Sequence, residues 1–423
     1  MSFGIFFGKQ MFSARLWYVP MLAVSMGLML LRLAIIAKML PVSEFAAFSA
    51  GLLVSSSFCM LGCFGLQSLL QRDLPILIMR RRERAGEVLV MQCVLMAVAA
   101  AFFGIILVSA SNGSLVGLTS VGLSISLFHG LSQQLFTVAT IDSRSRNQPV
   151  LFARQNLERA IPLVIASPAI ILLGGGSMTI LIVEASITLL LFTRLLVDKF
   201  RWTPSAISSA LRVGWRRMPN VNWRSAITLL AVSSLSFVVL NLDRWIAAQW
   251  LSANNFGQYA FAWTLISMAQ SIQLIINASV YPTLSQKYAL LGKKLCFSLA
   301  LKLSIVTLIS GIVISVIFYP VIEILISSIF KKYSAVLIII PIFLAVAIFR
   351  ISDFWSSFLI ITGNEIKVLK TLLLTAISIL LCWLLFLNFE KNNFSLIAIA
   401  ILALSITFVN YIALAFWAWK QSR

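Results

Sequence analysis

The sequence predicts an all-α polytopic membrane protein, with 12 transmembrane helices in two six-helix bundles. Three observations predict it: an extreme excess of apolar residues, apolar stretches of membrane-crossing length, and a lopsided placement of basic residues. Of 423 residues, 60% are hydrophobic and only 11% charged, and the mean hydropathy is +1.00. A soluble domain carries about 25% charged residues to cover its surface. No soluble core hides this much apolar side chain, so the bilayer is the solvent.

A spanning helix needs roughly 20 apolar residues. Twelve such spans are read at 16–39, 45–70, 88–110, 115–140, 150–173, 178–198, 225–250, 256–282, 297–319, 335–361, 370–388 and 395–418. Turn residues mark the breaks, as at Pro41-Val-Ser43, Ser111-Asn-Gly-Ser114, Gly174-Gly-Gly-Ser177 and Ser252-Ala-Asn-Asn255. The run after Lys9 and Arg15 continues past Arg32 to Met39, too long for the apolar core of a secretory signal, and is read as the first span. Cys59, Cys63, Cys93, Cys296 and Cys382 all fall in apolar runs without metal or redox spacing and are read as packing residues.

The 33 basic residues set the orientation. The N-terminus, the C-terminus and the loops after even-numbered helices hold 25 of them, while the opposite side holds only Lys38, Lys331, Lys332 and Lys391. Basic loops stay in the cytoplasm, so both termini are expected there. The formal charge of +20 is this topology signal; its dispersion among membrane loops excludes a nucleic-acid partner.

Between 203 and 219, Ile207, Leu211, Trp215 and Met218 recur at helical spacing with Arg212, Arg216 and Arg217 mostly off the stripe. Thr203-Pro204 starts and Pro219 stops an amphipathic helix expected to lie on the cytoplasmic membrane surface. The domains are accordingly an N-terminal bundle, 1–202, this helix and linker, 203–224, and a C-terminal bundle, 225–423. A shift of 211 positions aligns Ile35 with Ile246, Ala37 with Ala248, Leu40 with Leu251, Phe45 with Phe256 and Ser68 with Ser279. Six helices per repeat make the halves parallel, related by a pseudo-two-fold axis along the membrane normal, a design suited to alternating access.

The same region carries a family resemblance. Leu242-Asp-Arg-Trp-Ile-Ala-Ala248, Asn255-Phe-Gly-Gln-Tyr-Ala-Phe-Ala-Trp263 and Val280-Tyr-Pro-Thr-Leu-Ser285 resemble a stretch of bacterial polysaccharide exporters, and Ile36-Ala-Lys-Met-Leu-Pro-Val-Ser-Glu-Phe45 resembles its first-half counterpart. Ala46 stands where that family usually has Gly. The resemblance, confined in motif to 34–72 and 240–285, is to O-antigen and related lipid-linked oligosaccharide flippases, in the superfamily that also holds multidrug extruders. It implies an inner-membrane flippase carrying an undecaprenyl-pyrophosphate-linked oligosaccharide to the periplasmic leaflet in lipopolysaccharide biosynthesis. Membrane lipids, a polysaccharide polymerase and a chain-length regulator are the implied partners, with no cofactor beyond H+ or Na+ coupling.

Arg32, Arg244 and Arg350 lie within spans, where a mid-helix guanidinium costs about 2.5–3.5 kcal/mol on insertion scales. They are expected to face a wet interior and hold a diphosphate, which the guanidinium fork matches bidentately. The bland alternative is structural pairing, for Arg350 with Asp353. Arg194, near Asp198, is expected to snorkel. Asp243, Glu184 and Asp353 are candidate coupling or gating groups; Glu184, with no basic residue within a turn, is the most isolated, whereas Glu158 sits in reach of Arg154 and Arg159. His129, Gln133 and Thr137 share a face that either touches sugar hydroxyls or makes a helix-to-helix hydrogen bond. Trp245, Tyr259 and Trp263 are placed for stacking on sugars or for the membrane interface, and Trp250 is read as an interface anchor.

No nucleophile–base pair, metal cluster or phosphate-cradling loop is present in the sequence, and the loops are short, so an enzyme is not expected. The rival readings are a cation-coupled multidrug extruder and a non-transporting scaffold of a polysaccharide assembly complex.

Overall fold

A computed structural model describes the backbone of residues 9–111, 115, 118–146, 148–200, 204–389 and 395–422. Side chains at 9–16, 199–200, 204, 268–283, 285–287, 289, 291, 365 and 379–389 are not among those described. Cys382, Ser279 and most of the 280–285 motif therefore lie outside the described side chains, as does Thr203.

The described chain is helical. The helices are α1 Lys9–Met39, α2 Val42–Leu61, α3 Leu66–Met79, α4 Glu83–Ser111, α5 Ser120–Ser145, α6 Pro149–Leu172 and α7 Ser177–Phe200. There follow α8 Pro204–Arg216, α9 Trp223–Trp250, α10 Ala253–Ser328, α11 Ile340–Ile351, α12 Trp355–Ile361, α13 Glu365–Phe389 and α14 Leu396–Ser422. The chain divides into two compact units, Met1–Ser234 and Leu235–Arg423.

Four of the expected spans depart from single, separate helices. The second ends at Leu61, where Phe64 and Gly65 take left-handed backbone angles before α3 begins. The eighth and ninth are one run, α10, broken only at Gly292, whose φ of 78° lets the chain reverse. The tenth is a 3-10 segment, Lys331–Ile338, followed by α11 and α12 with a break at 352–354. In the second and tenth spans apolar periodicity reads through the break because the residues on either side remain lipid-compatible.

Eight stretches among the described residues are both long and apolar enough to cross a membrane. The helices α5 and α6 are not among them, for a structural reason. Ser126, His129, Ser132, Gln134, Thr140 and Ser143 of α5 are buried, and α6 carries Gln155 and Ser167 inside. A helix enclosed by protein can hold polar groups that a lipid-facing one cannot. By contrast, Ile309, Val313, Val316 and Ile324 on the second half of α10 are exposed, as a lipid-facing surface requires.

In the first unit α1 packs on α6, α2 on α5, and α5 on α4 and α7. The predicted amphipathic helix is α8, which rests on α4: a side chain at Gly214 would press on Met91, and Gln92 Nε2 donates to the Gly214 carbonyl at 3.4 Å. Trp215 stays 66% exposed at the edge of the apolar stripe. In the second unit α10 packs on α11, and α14 on α11, α12 and α13. Its core includes Phe354, Trp355, Phe358, Tyr411 and Leu414.

Gly65 fixes the α2–α3 corner. Its φ is +82°, and a Cβ there would collide with the backbone oxygen of Ala226. Gly65→Ala combines overpacking, about 1–3 kcal/mol, with a left-handed penalty of about 1–2 kcal/mol. The expected outcome is a lower unfolding temperature of the purified protein, checked by a fluorescence melt; an unchanged melt refutes the corner.

Candidate functional site

Each unit buries one cluster of ionisable side chains. In the first, Arg32 of α1 and Glu184 of α7, 3% and 0% exposed, form an ion pair at 2.9 Å. Arg32 Nη1 donates to Glu184 Oε2, and Ser167 Oγ of α6 lies 2.8 Å from Oε1. The histidine reaches the same carboxylate, with His129 Nε2 of α5 3.5 Å from Oε2. Its other nitrogen, Nδ1, lies 3.0 Å from Ser55 Oγ of α2, and Gln133 Nε2 lies 3.1 Å from Nε2. Because Ser55 Oγ also has carbonyl acceptors at Gly51 and Ser126, its proton can go there while Nδ1–H donates to it. Nε2 then accepts from Gln133 in the neutral ring; in the doubly protonated ring it donates toward Glu184 instead.

Glu184 is thus not isolated. Its partner lies 152 positions away, beyond any local spacing rule. Arg159 also joins this cluster. It was read together with Arg154 and Glu158, but it is partly buried, with its guanidinium 5.1 Å from the Phe136 ring and within electrostatic reach of Arg32 and Glu184. The mouth pair is Arg154 with Glu158 at 2.8 Å, and Arg194 leans toward Glu158 at 3.9 Å rather than toward Asp198.

In the second unit α9 supplies Asp243 and Arg244, α10 Tyr259 and Trp263, and α11 Arg350. Asp243 is 1% exposed; its Oδ2 accepts from the Tyr259 hydroxyl at 2.6 Å and from Trp263 Nε1 at 2.8 Å. Its Oδ1 has no hydrogen-bond partner among the described residues. Both guanidinium carbons stand over one indole, Arg244 at 3.8 Å and Arg350 at 4.5 Å from the Trp263 ring centroid. Such contacts contribute about 2 kcal/mol or more when desolvated. Arg350 Nη2 also donates to the Leu240 carbonyl at 3.1 Å, and Phe343 meets Tyr259 and Trp263 edge-on.

The expected local pair of Arg350 with Asp353 is not formed. Asp353 instead accepts from the backbone and hydroxyl of Ser356 at the start of α12. Tyr259 and Trp263, read as candidates for sugars or the interface, are buried against Asp243. The structure therefore brings together Arg32, Glu184, His129 and Gln133 in one unit and Asp243, Arg244 and Arg350 in the other. With a neutral histidine, each cluster holds two guanidinium groups to one carboxylate.

The described architecture defines a multi-pass membrane protein with the fold of MATE transporters. A solved inward-facing multidrug resistance MATE family transporter of the MOP superfamily is similar over 94% of both chains, with TM-score 0.60 and 14% identity. The eukaryotic MATE transporter AtDTX14 covers 96% of this chain and 93% of its own, with TM-score 0.62 and 11% identity. The Vibrio cholerae MATE transporter VcmN gives TM-score 0.57 at 16% identity, over 96% and 95% of the two chains. No protein-family description and no curated protein matches the sequence.

Proposed function

We propose that this chain is an alternating-access transporter of the bacterial inner membrane, with both termini cytoplasmic, whose cargo carries an anionic headgroup. The cargo that fits best is an undecaprenyl-pyrophosphate-linked oligosaccharide, an O-antigen or related repeat unit, moved to the periplasmic leaflet. The observation that carries this reading is that, among the described residues, each cluster sets two guanidinium groups against one carboxylate, Arg32 and Arg159 against Glu184, and Arg244 and Arg350 against Asp243. A diphosphate supplies the missing negative charge and bidentate acceptors.

The Arg32–Glu184 pair narrows the role of Arg32. Its Nη1 is engaged by Glu184, whereas Arg244 and Arg350 share the face of Trp263 and are the better candidates for headgroup contact. His129 stands 3.5 Å from Glu184, and an imidazole beside a carboxylate can take up or pass on a proton, which makes Glu184 with His129 the better coupling candidate and leaves Asp353 a cap.

The fold likeness favours a second reading, a cation-coupled multidrug extruder, since two of the similar structures are named multidrug resistance transporters. A site for cationic drugs calls for unpaired carboxylate, and the surplus here is positive. Reconstitution in vesicles tests both. On the first reading a fluorescent polyprenyl-pyrophosphate oligosaccharide changes leaflet and a cationic dye is not moved. Dye export without lipid movement refutes it.

A further inference from the structure

Three lysines assigned to different loops of the sequence meet at one end of the second unit. Lys293 follows the break at Gly292, Lys367 lies in the first turn of α13, and Lys420 in the last turn of α14. The Lys367 and Lys420 ammonium groups stand 5.6 and 5.5 Å from the centroid of one ring, Trp417. Lys293 Nζ donates to Gln421 Oε1 at 2.7 Å, beside Lys420, and Lys367 lies within electrostatic reach of both other lysines. None of the three meets a carboxylate among the described residues.

Three like charges drawn together are mutually repulsive, and two helix starts add to the repulsion. Lys293 and Lys367 both sit at the start of a helical run, where the backbone presents partial positive charge and favours an anion. Beside the lysines, Phe416 and Trp419 are 52% and 42% exposed and pack with Trp417 into an aromatic group at the end of the apolar run of α14. Aromatic side chains of this kind mark the level of lipid headgroups. The charge distribution puts this end on the cytoplasmic side, whose leaflet carries anionic lipids that attract lysines near the surface.

We propose that Lys293, Lys367 and Lys420 around Trp417 form a binding site for the phosphodiester headgroup of an anionic membrane phospholipid in the cytoplasmic leaflet. The lysines hold the phosphate, and Trp417, Phe416 and Trp419 lie against the glycerol and upper acyl region. This site is independent of the nature of the transported cargo.

The test is native mass spectrometry of the full chain in detergent, titrated with phosphatidylglycerol or with phosphatidylethanolamine. Wild type is expected to retain phosphatidylglycerol selectively. At about 1 kcal/mol per lysine, or about fivefold, K293Q/K367Q/K420Q is expected to bind it on the order of 100-fold more weakly. The control R80Q/R81Q/R82Q, which removes three charges from an exposed loop of the other unit, is expected to bind as wild type does. Equal weakening in both variants, or equal retention of phosphatidylethanolamine by wild type, overturns the proposal. So does inorganic phosphate alone protecting the protein from heat as well as phosphatidylglycerol does, since the site then takes free anions. If the triple variant does not fold, K420Q alone, at an exposed helix end, is expected to weaken binding about fivefold, and unchanged binding overturns the site.

Discussion

Glu184→Leu lowers the stability of the purified protein by about 3–5 kcal/mol, the usual loss when one partner of a buried ion pair is removed. The reason is what remains behind. Arg32 is 3% exposed, its Nη1 loses the acceptor at 2.9 Å, and its Nε has no hydrogen-bond partner among the described residues. A guanidinium keeps its charge at any accessible pH, so the variant must bury a bare cation, with Arg159 close enough to repel it. Arg32→Met is expected to lose less, because the stranded carboxyl group can be protonated and still has Ser167 and His129 within reach. The double variant R32M/E184L removes both charges. Replacement of whole buried pairs by apolar side chains is often neutral or stabilising, so it is expected to recover most of the loss. Thermal unfolding of the four proteins in detergent checks the ordering. Equal stability of E184L and wild type refutes the pair.

The membrane class, the approximate spans and α8 were legible in the sequence because each follows from a local rule. Apolar length sets a span, and the spacing of Ile207, Leu211, Trp215 and Met218 sets the amphipathic helix. The break at Gly65 was not legible, since hydropathy is blind to a backbone angle that flanking apolar residues do not announce, and the 283–296 interval read as a loop is helical apart from Gly292. The candidate site divides in the same way. Charged residues inside spans identified Arg32, Glu184, Asp243, Arg244 and Arg350 as unusual, but not their partners. Arg32 and Glu184 are joined by the packing of α1, α5, α6 and α7 around one point. Tyr259 and Trp263 share a face of α10 at helical spacing, and that face meets Asp243 across the turn between α9 and α10, 16 and 20 positions away. Arg159 was hidden by its neighbours: Arg154 and Glu158 form the surface pair that its sequence position suggested for all three.

The sign of the cargo is decided by opposite substitutions in the second cluster. For an anionic cargo, Arg350→Gln and Arg244→Gln each delete a charged donor, a loss of about 1.5–3 kcal/mol, so transport in vesicles falls roughly 10- to 100-fold. Each change also gives up a contact with the Trp263 ring of about 2 kcal/mol, so transport is compared only between variants whose thermal melts show folded protein. Asp243→Asn works in the other direction. The amide oxygen still accepts from Tyr259 and Trp263, so the hydrogen bonds at 2.6 and 2.8 Å keep their acceptor while the only carboxylate of the cluster disappears. The charge surplus then rises, and an anionic cargo is expected to bind at least as tightly as before, even where turnover slows because release is harder. A cationic cargo requires the reverse pattern: loss of binding in D243N, and binding retained or tightened in R244Q and R350Q. Measuring both cargo types against the three variants therefore yields crossed outcomes, and loss of cationic-dye binding in D243N alone rejects the anionic reading.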